Sequence, residues 1–81
     1  MVDTANKFSL WAIEIFVASV EEGSISAAAK RLNSSNSTVS QQLTNLETAL
    51  GSELLDRSTR PMKLKPTGQL FLHRARAILS E

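Results

Sequence analysis

The chain has 81 residues, with nine Lys/Arg, eight Asp/Glu, one His, no Cys and a net charge of +1, which bounds it to one small domain. A chain of this size buries only about 60% of its unfolded surface, leaving little room for a large ligand cavity. The missing cysteines exclude disulfides and thiolate metal sites. An apolar content of 42% against 21% charged is that of an ordinary globular domain rather than a disordered tail. No apolar run approaches the roughly 18 residues of a membrane span, and no basic-then-apolar leader opens the chain, so neither a span nor a secretory signal is expected.

Residues 1–7 lack periodicity and read as a frayed start. From Leu10 the pattern is helical: Leu10, Ile13, Phe16, Val17 and Val20 recur at steps of three and four and share one face. Ser9 suits the N-cap, and Gly23 ends the helix because it takes a left-handed conformation without a Cβ clash. Trp11 and Ile15 lie off the stripe, four apart, and form a second apolar patch that calls for a second partner.

Ser24-Ile25-Ser26 opens a short second helix, in which Ser26 is placed to cap the amide of Ala28 or Ala29. Ala27, Ala28 and Ala29 favour helix and let another helix approach closely, while Ile25 and Leu32 anchor the element. The polar run Asn33 to Thr38 is a turn and cap rather than a linker, because a stripe of Val39, Leu43, Leu46 and Leu50 follows at once. Either Ser35 caps this third helix, or Thr38 does so in a capping box with Gln41; the residues leave both open. Gly51 ends it.

Glu53 to Arg57 and Met62 to Lys65 are two short extended pieces around the turn Ser58-Thr59-Arg60-Pro61, predicting a small hairpin that leans on the helices. Pro66 opens a last helix at its first position. Its Leu70, Phe71, Leu72, Ala75, Ile78 and Leu79 wrap well over half its circumference. The fold class is therefore mainly α, with a two-stranded β piece.

Catalysis has little support. The single His73 lies beside Arg74 and Arg76 without an acid–base partner arrangement, Gly23, Gly51 and Gly68 are isolated rather than a phosphate loop, and no metal-ligand spacing occurs. Neither enzyme activity nor a cofactor is expected. Binding fares better. Two short helices around a tight polar turn form a helix-turn-helix signature, whose second helix enters a major groove with its N-terminal residues at base edges. Ser35, Asn36, Ser37, Thr38, Ser40, Gln41 and Gln42 crowd the first two turns of that helix. Asn and Gln match an adenine edge, Ser and Thr serve bases or phosphates, and no acidic residue occurs between Glu22 and Glu47 to repel a polyanion. The ordinary alternative, turn and cap residues only, accounts for one or two of the seven.

Charge distribution adds a second signal. Residues 1–56 carry three basic against seven acidic side chains, a net −4, whereas residues 57–81 carry six against one, a net +5. Arg60 at the hairpin tip, with Lys63 and Lys65 nearby, has the character of a wing whose arginine enters a narrow, electronegative minor groove. Arg57, beside Asp56 and within reach of Glu47, is placed at least as well for an intramolecular ion pair as for a contact to a polyanion.

Several linked motifs carry a resemblance. Glu22-Gly23-Ser24-Ile25-Ser26-x-Ala28-Ala29-x-Arg31-Leu32 is followed by Ser35-x-x-x-Val39-Ser40-x-Gln42-Leu43-x-x-Leu46-Glu47-x-x-Leu50-Gly51, then Leu54-Leu55-x-Arg57 and Leu64-x-Pro66-x-Gly68. In this order they resemble the N-terminal winged helix-turn-helix of LysR-type transcriptional regulators, from about Leu10 to the end of the chain. The resemblance implies a cytoplasmic, bacterial regulator that binds double-stranded promoter DNA as a homodimer or tetramer and takes a small-molecule effector through a C-terminal domain outside these residues. It implies a DNA-binding domain over residues 1–66 and a linker helix over 67–81 that pairs with its dimer mate, with Trp11, Ile15, Phe71, Leu72, Ala75, Ile78 and Leu79 at the dimer contact. On this reading Asn36, Ser37, Thr38, Gln41 and Gln42 probe the major groove, Ser35 and Ser40 hold backbone position, and Arg60, with Lys63, borders the minor groove. The sequence departs from the family habit at Ser34, often apolar, at Asn36, often Gln, at Ser37, often Pro or Ala, at Gln41, often Arg, and at Lys65, often a capping Thr. Site preference is thus expected to differ from the family norm. Two competing classes are a helical interaction module, supported by the apolar first and last helices, and a winged helix of another regulator class such as a metal-oxyanion sensor.

Overall fold

The computed structural model describes residues 9–80, so the expected frayed start over residues 1–7 lies outside the described residues. The elements are α1 (Leu10–Glu22), α2 (Ile25–Leu32), α3 (Asn36–Leu50), β1 (Leu55–Asp56), β2 (Lys63–Leu64) and α4 (Pro66–Leu79). The order matches the sequence reading, with the hairpin reduced to two residues per strand.

Each helix boundary has a local cause. Ser9 Oγ accepts from the Ala12 amide at 3.0 Å and caps α1, while Gly23 ends it at φ 80° with its N–H on the Ser19 carbonyl. Helix α2 is capped by Ser24 rather than Ser26: Ser24 has extended backbone, and its Oγ accepts from the Ala27 amide at 3.1 Å. Ser26 already lies inside the first turn, where its backbone is helical and an N-cap geometry is closed to it. Asn33 ends α2 in the left-handed region at φ 56°, a conformation Asn tolerates better than most residues. Gly51 ends α3 at φ 72°. Helix α4 starts at Pro66 with Lys65 as its N-cap residue, and no side-chain bond caps it.

The core lies among α1, α2 and α3, with the hairpin and α4 closing it. Phe16, Ile15, Leu43, Leu54 and Val39 are the largest fully buried side chains. Each contributes roughly 1.5–3 kcal/mol by leaving water. Ala28 and Ala29 are buried where α2 meets its neighbours, as close approach requires. The buried Ser19 hydroxyl donates to the Ile15 carbonyl at 2.8 Å and carries no polar penalty. Helix α4 packs back on α1, where the rings of Phe16 and Phe71 meet edge to face at 5.2 Å.

The strands pair antiparallel, Leu55 opposite Leu64 and Asp56 opposite Lys63. Two residues per strand cannot hold a hairpin alone, and the body of the domain supports it. The Met62 amide donates to the Gly23 carbonyl at 3.0 Å, the Lys65 amide to Leu54 at 2.9 Å, and Thr67 Oγ1 to Glu53 at 2.8 Å. Pro61 sits so close over Gly23 that a Cβ there would lie 3.0 Å from the proline Cβ. Leu54, Leu55 and Met62 are buried beneath.

Candidate nucleic-acid interface

The turn between α2 and α3 is three residues long, Asn33 to Ser35, and its bonds fix the angle at which α3 leaves. The Ser34 amide donates to the Ala29 carbonyl at 2.8 Å, closing the end of α2. Ser35 then takes extended backbone, and its Oγ accepts from the Thr38 amide at 3.1 Å while donating to Thr38 Oγ1 at 3.0 Å. The cap is therefore Ser35, and Thr38 is its partner. With Val39, Leu43 and Leu46 buried, α3 turns its other face outward. Asn36, Ser37 and Gln41 are exposed on it, and Thr38, Ser40 and Gln42 are half-buried. Six of the seven polar residues read from the sequence thus lie in the first two turns of α3 and the seventh, Ser35, caps them.

Helix α3 presents amides and hydroxyls but no charge at this end. Its first amides point outward with the positive end of the helix dipole, which suits a phosphate. Gln41 Nε2 donates to Asn45 Oδ1 at 2.9 Å, so the Gln41 side chain is held along the helix face rather than swinging freely. Asn45 was not among the sequence candidates; its spacing of four from Gln41 is the signal that identifies it.

The wing supplies the charge. Asp56 accepts from both the amide and the hydroxyl of Ser58, which folds the tip. Those bonds, the hydroxyl first, hold the Asp56 carboxyl below the usual carboxylate range. Thr59 Oγ1 donates to the Pro61 carbonyl at 3.0 Å, and the Arg60–Pro61 peptide is cis. Arg60 and Lys63 are exposed and neither makes a salt bridge among the described residues. Lys65 is engaged instead: Glu53 lies 2.7 Å away and is held below its usual range by that bond. Arg57 is likewise committed, its guanidinium 3.0 Å from Glu47, not Asp56.

Two further basic residues, Arg31 and Arg76, belong to a scaffold cluster. Arg31 on α2 bonds Glu21 at 2.8 Å and Glu22 at 3.3 Å at the end of α1, and Arg76 on α4 bonds Glu21 at 3.1 Å. The Arg31 hydrogen bond is the main reason Glu21 sits below the usual carboxylate range.

At the expected dimer contact the structure divides the residues. Ile15 and Ala75 are fully buried inside the chain, where α1 meets three other helices and α4 meets α1, so neither offers a surface to a partner. Phe71, Leu72 and Leu79 are half-buried against the core. Trp11, 37% exposed, and Ile78, 48% exposed, remain at the surface, as do Leu10 and Leu70.

Among the described residues no group of three or more His, Cys, Asp or Glu could hold a metal ion, and no helix is long and apolar enough to cross a membrane. Residues 10–69 match the sequence model of the bacterial regulatory helix-turn-helix proteins of the lysR family. The chain belongs to the LysR family. Similar LysR-type relatives include the HTH-type transcriptional regulator TfdS of Cupriavidus pinatubonensis, 45% identical over 67 residues, covering 83% of this chain and 23% of that protein. The HTH-type transcriptional regulator CrgA of Neisseria meningitidis is 44% identical over 69 residues, covering 85% of this chain and 23% of that one. The chain thus spans about a quarter of the length of these relatives. Among solved structures, the BenM DNA-binding domain in complex with a catB site DNA superposes with a TM-score of 0.86 at 42% identity, covering 89% of this chain and 77% of that one. The CbnR DNA-binding domain in complex with DNA gives 0.85 at 40%, covering 89% and 83%. With the LysR fold come a winged helix-turn-helix architecture and relatives that are transcriptional regulators.

Proposed function

We propose that this chain is the sequence-reading head of a bacterial transcriptional regulator, placing α3 in the major groove of double-stranded DNA and the wing at the adjacent minor groove. The observation that carries this reading is an uncharged, amide- and hydroxyl-rich helix end in one domain with an exposed Arg60 on a supported wing, the wing's Arg57 reaching Ser40 of that helix. Its likeness to a BenM domain solved on DNA supports it. Asn36, Ser37, Thr38, Gln41 and Gln42 meet base edges; Ser35 and Ser40 keep the helix on the backbone; Arg60 enters the minor groove with Lys63 beside it. No catalytic step belongs to this head, and the protein works in the cytoplasm.

Dimerisation supplies the second half-site. Residues 67–81 act as a linker helix beyond a DNA-binding domain of residues 1–66, with Trp11, Ile78 and the outer edges of Phe71, Leu72 and Leu79 meeting a second copy. An effector acts through residues beyond this chain, and full-length protein pairs further into tetramers. Selection of bound sites from random DNA tests the reading. A recurring motif in two halves about one helical turn apart, or a multiple of that, is expected. Binding equal to that of a charge-matched control protein at every salt concentration would overturn it.

A further inference from the structure

The wing is tied to the body of the domain at its base, through the Met62 bond to Gly23 and the Lys65 and Thr67 bonds around Leu54. None of these ties touches α3. The polar link between wing and α3 runs through Glu47, whose side chain is only 13% exposed. Its Oε2 accepts from the Leu54 amide at 2.8 Å and from the Leu55 amide at 3.3 Å, and its Oε1 accepts from Arg57 at 3.0 Å. Arg57 in turn reaches back along α3, with Ser40 Oγ and Thr44 Oγ1 each 3.5 Å from its guanidinium. Ser40, Thr44 and Glu47 stand at helical spacing on one face, so the end of β1 is laid along α3 over two turns.

We propose that Glu47 is a positioning residue for DNA reading: it fixes the wing, and Arg60 at its tip, in register with the recognition helix, so that major- and minor-groove contacts act as one unit. A largely buried carboxylate is costly unless both oxygens are satisfied, and bonds to a charged acceptor are about twice as strong as neutral ones. The bonds gathered on this one carboxylate and one guanidinium therefore over-determine the start of the wing. Arg57 stands three residues before Arg60, and the intervening turn is folded by Asp56, so an error at Arg57 passes to the tip. With the charge pair removed but an acceptor kept for the Leu54 and Leu55 amides, the base ties and the fold persist, but the direction of the wing relative to α3 is no longer set.

The inference rests on the proposed DNA reading, and one experiment separates the two. Sites are selected from random DNA with the unaltered chain, Glu47→Gln, Glu47→Ala, Arg60→Ala and the Glu47→Gln/Arg60→Ala double variant, and thermal melts monitor folding. Glu47→Gln keeps an acceptor for the Leu54 and Leu55 amides while losing the charge pair with Arg57, and it answers the question if Glu47→Ala does not fold. The expected result is loss of base preference at the positions flanking the α3 contact, about tenfold in relative affinity for a contact of ordinary strength. Preference under α3 is retained, the pattern matches Arg60→Ala, and the double variant loses little more than either single one. A uniform loss over all positions, or additive losses in the double variant, would overturn the positioning role and leave the DNA reading standing. Absence of any site preference in the unaltered chain would overturn both.

Discussion

Gly68→Ala reverses the usual effect of its substitution. In a helix, glycine to alanine gains about 0.5–1 kcal/mol from backbone entropy and propensity. Gly68, however, is buried in the first turn of α4, where an added Cβ would collide with the Leu54 carbonyl oxygen and lie 2.8 Å from Leu64 Cδ1. The leucine methyl can turn away, but the carbonyl is held by the Lys65 amide at 2.9 Å. Overfilling a packed site costs about 1–3 kcal/mol, with the upper part of that range appropriate against a backbone atom, and a weakened backbone bond adds about 0.5–1.5 kcal/mol. The net is a loss of about 2 kcal/mol, from a domain whose whole stability is on the order of 4–12 kcal/mol. In a domain of this size that lowers Tm by about 8–16 °C. Thermal melts followed by far-ultraviolet circular dichroism measure it, with Gly51→Ala as the control. Gly51 has φ 72° and nothing within 4 Å of where an alanine methyl would stand, so it loses only about 1–2 kcal/mol to left-handed strain. A Tm for Gly68→Ala equal to or above the unaltered chain would refute the packing argument.

Three further outcomes follow from the same structure. Ser35→Ala removes the acceptor of the Thr38 amide and lowers stability by about 1 kcal/mol, measured by urea unfolding, and it weakens DNA binding because the first turn of α3 frays. Arg60→Ala leaves the melting curve unchanged and flattens the dependence of DNA affinity on salt by close to one counterion, read from titrations at several salt concentrations. Glu21 and Asp56 have folded-state pKa values below their ordinary ones, through the Arg31 and Ser58 hydrogen bonds respectively. The stability they add is present above the unfolded carboxylate range and lost as pH falls through the folded values. Tm measured against pH should therefore decline below about pH 4–5, and Glu21→Gln should shrink that decline.

The sequence signals with the shortest reach were the most legible. Ser9, Gly23 and Gly51 mark helix ends because a cap needs one residue and its immediate neighbours. The stripe Val39, Leu43, Leu46 buries as its spacing requires. Ser26, read as the cap of the second helix, lies two residues inside it: Ser24 has the extended backbone and accepts from the Ala27 amide, and serine composition alone does not distinguish the two positions. Ile15, read as part of a second apolar patch in need of a partner, is buried within the chain itself, and the pattern alone does not name that partner. A helical pattern shows which residues share a face but not how many neighbours surround the helix, and α1 contacts α2, α3 and α4. At the interface, the polar crowding on α3 and the basic hairpin tip were visible as composition. The Gln41–Asn45 pair was visible only as a spacing, and the choice of Glu47 over Asp56 by Arg57 depends on how the hairpin folds back on α3.

Gly23 joins two regions far apart in the chain. Its carbonyl receives the Met62 amide and its missing side chain leaves room for Pro61, so the bend after α1 is also the seat of the wing. The two segments are therefore not interchangeable parts. A wing of another length or shape, transplanted from a relative to alter which DNA is read, must bring the matching bend between the first two helices with it. Chimaeras cut between these segments should lose wing placement, while those that exchange both should keep it.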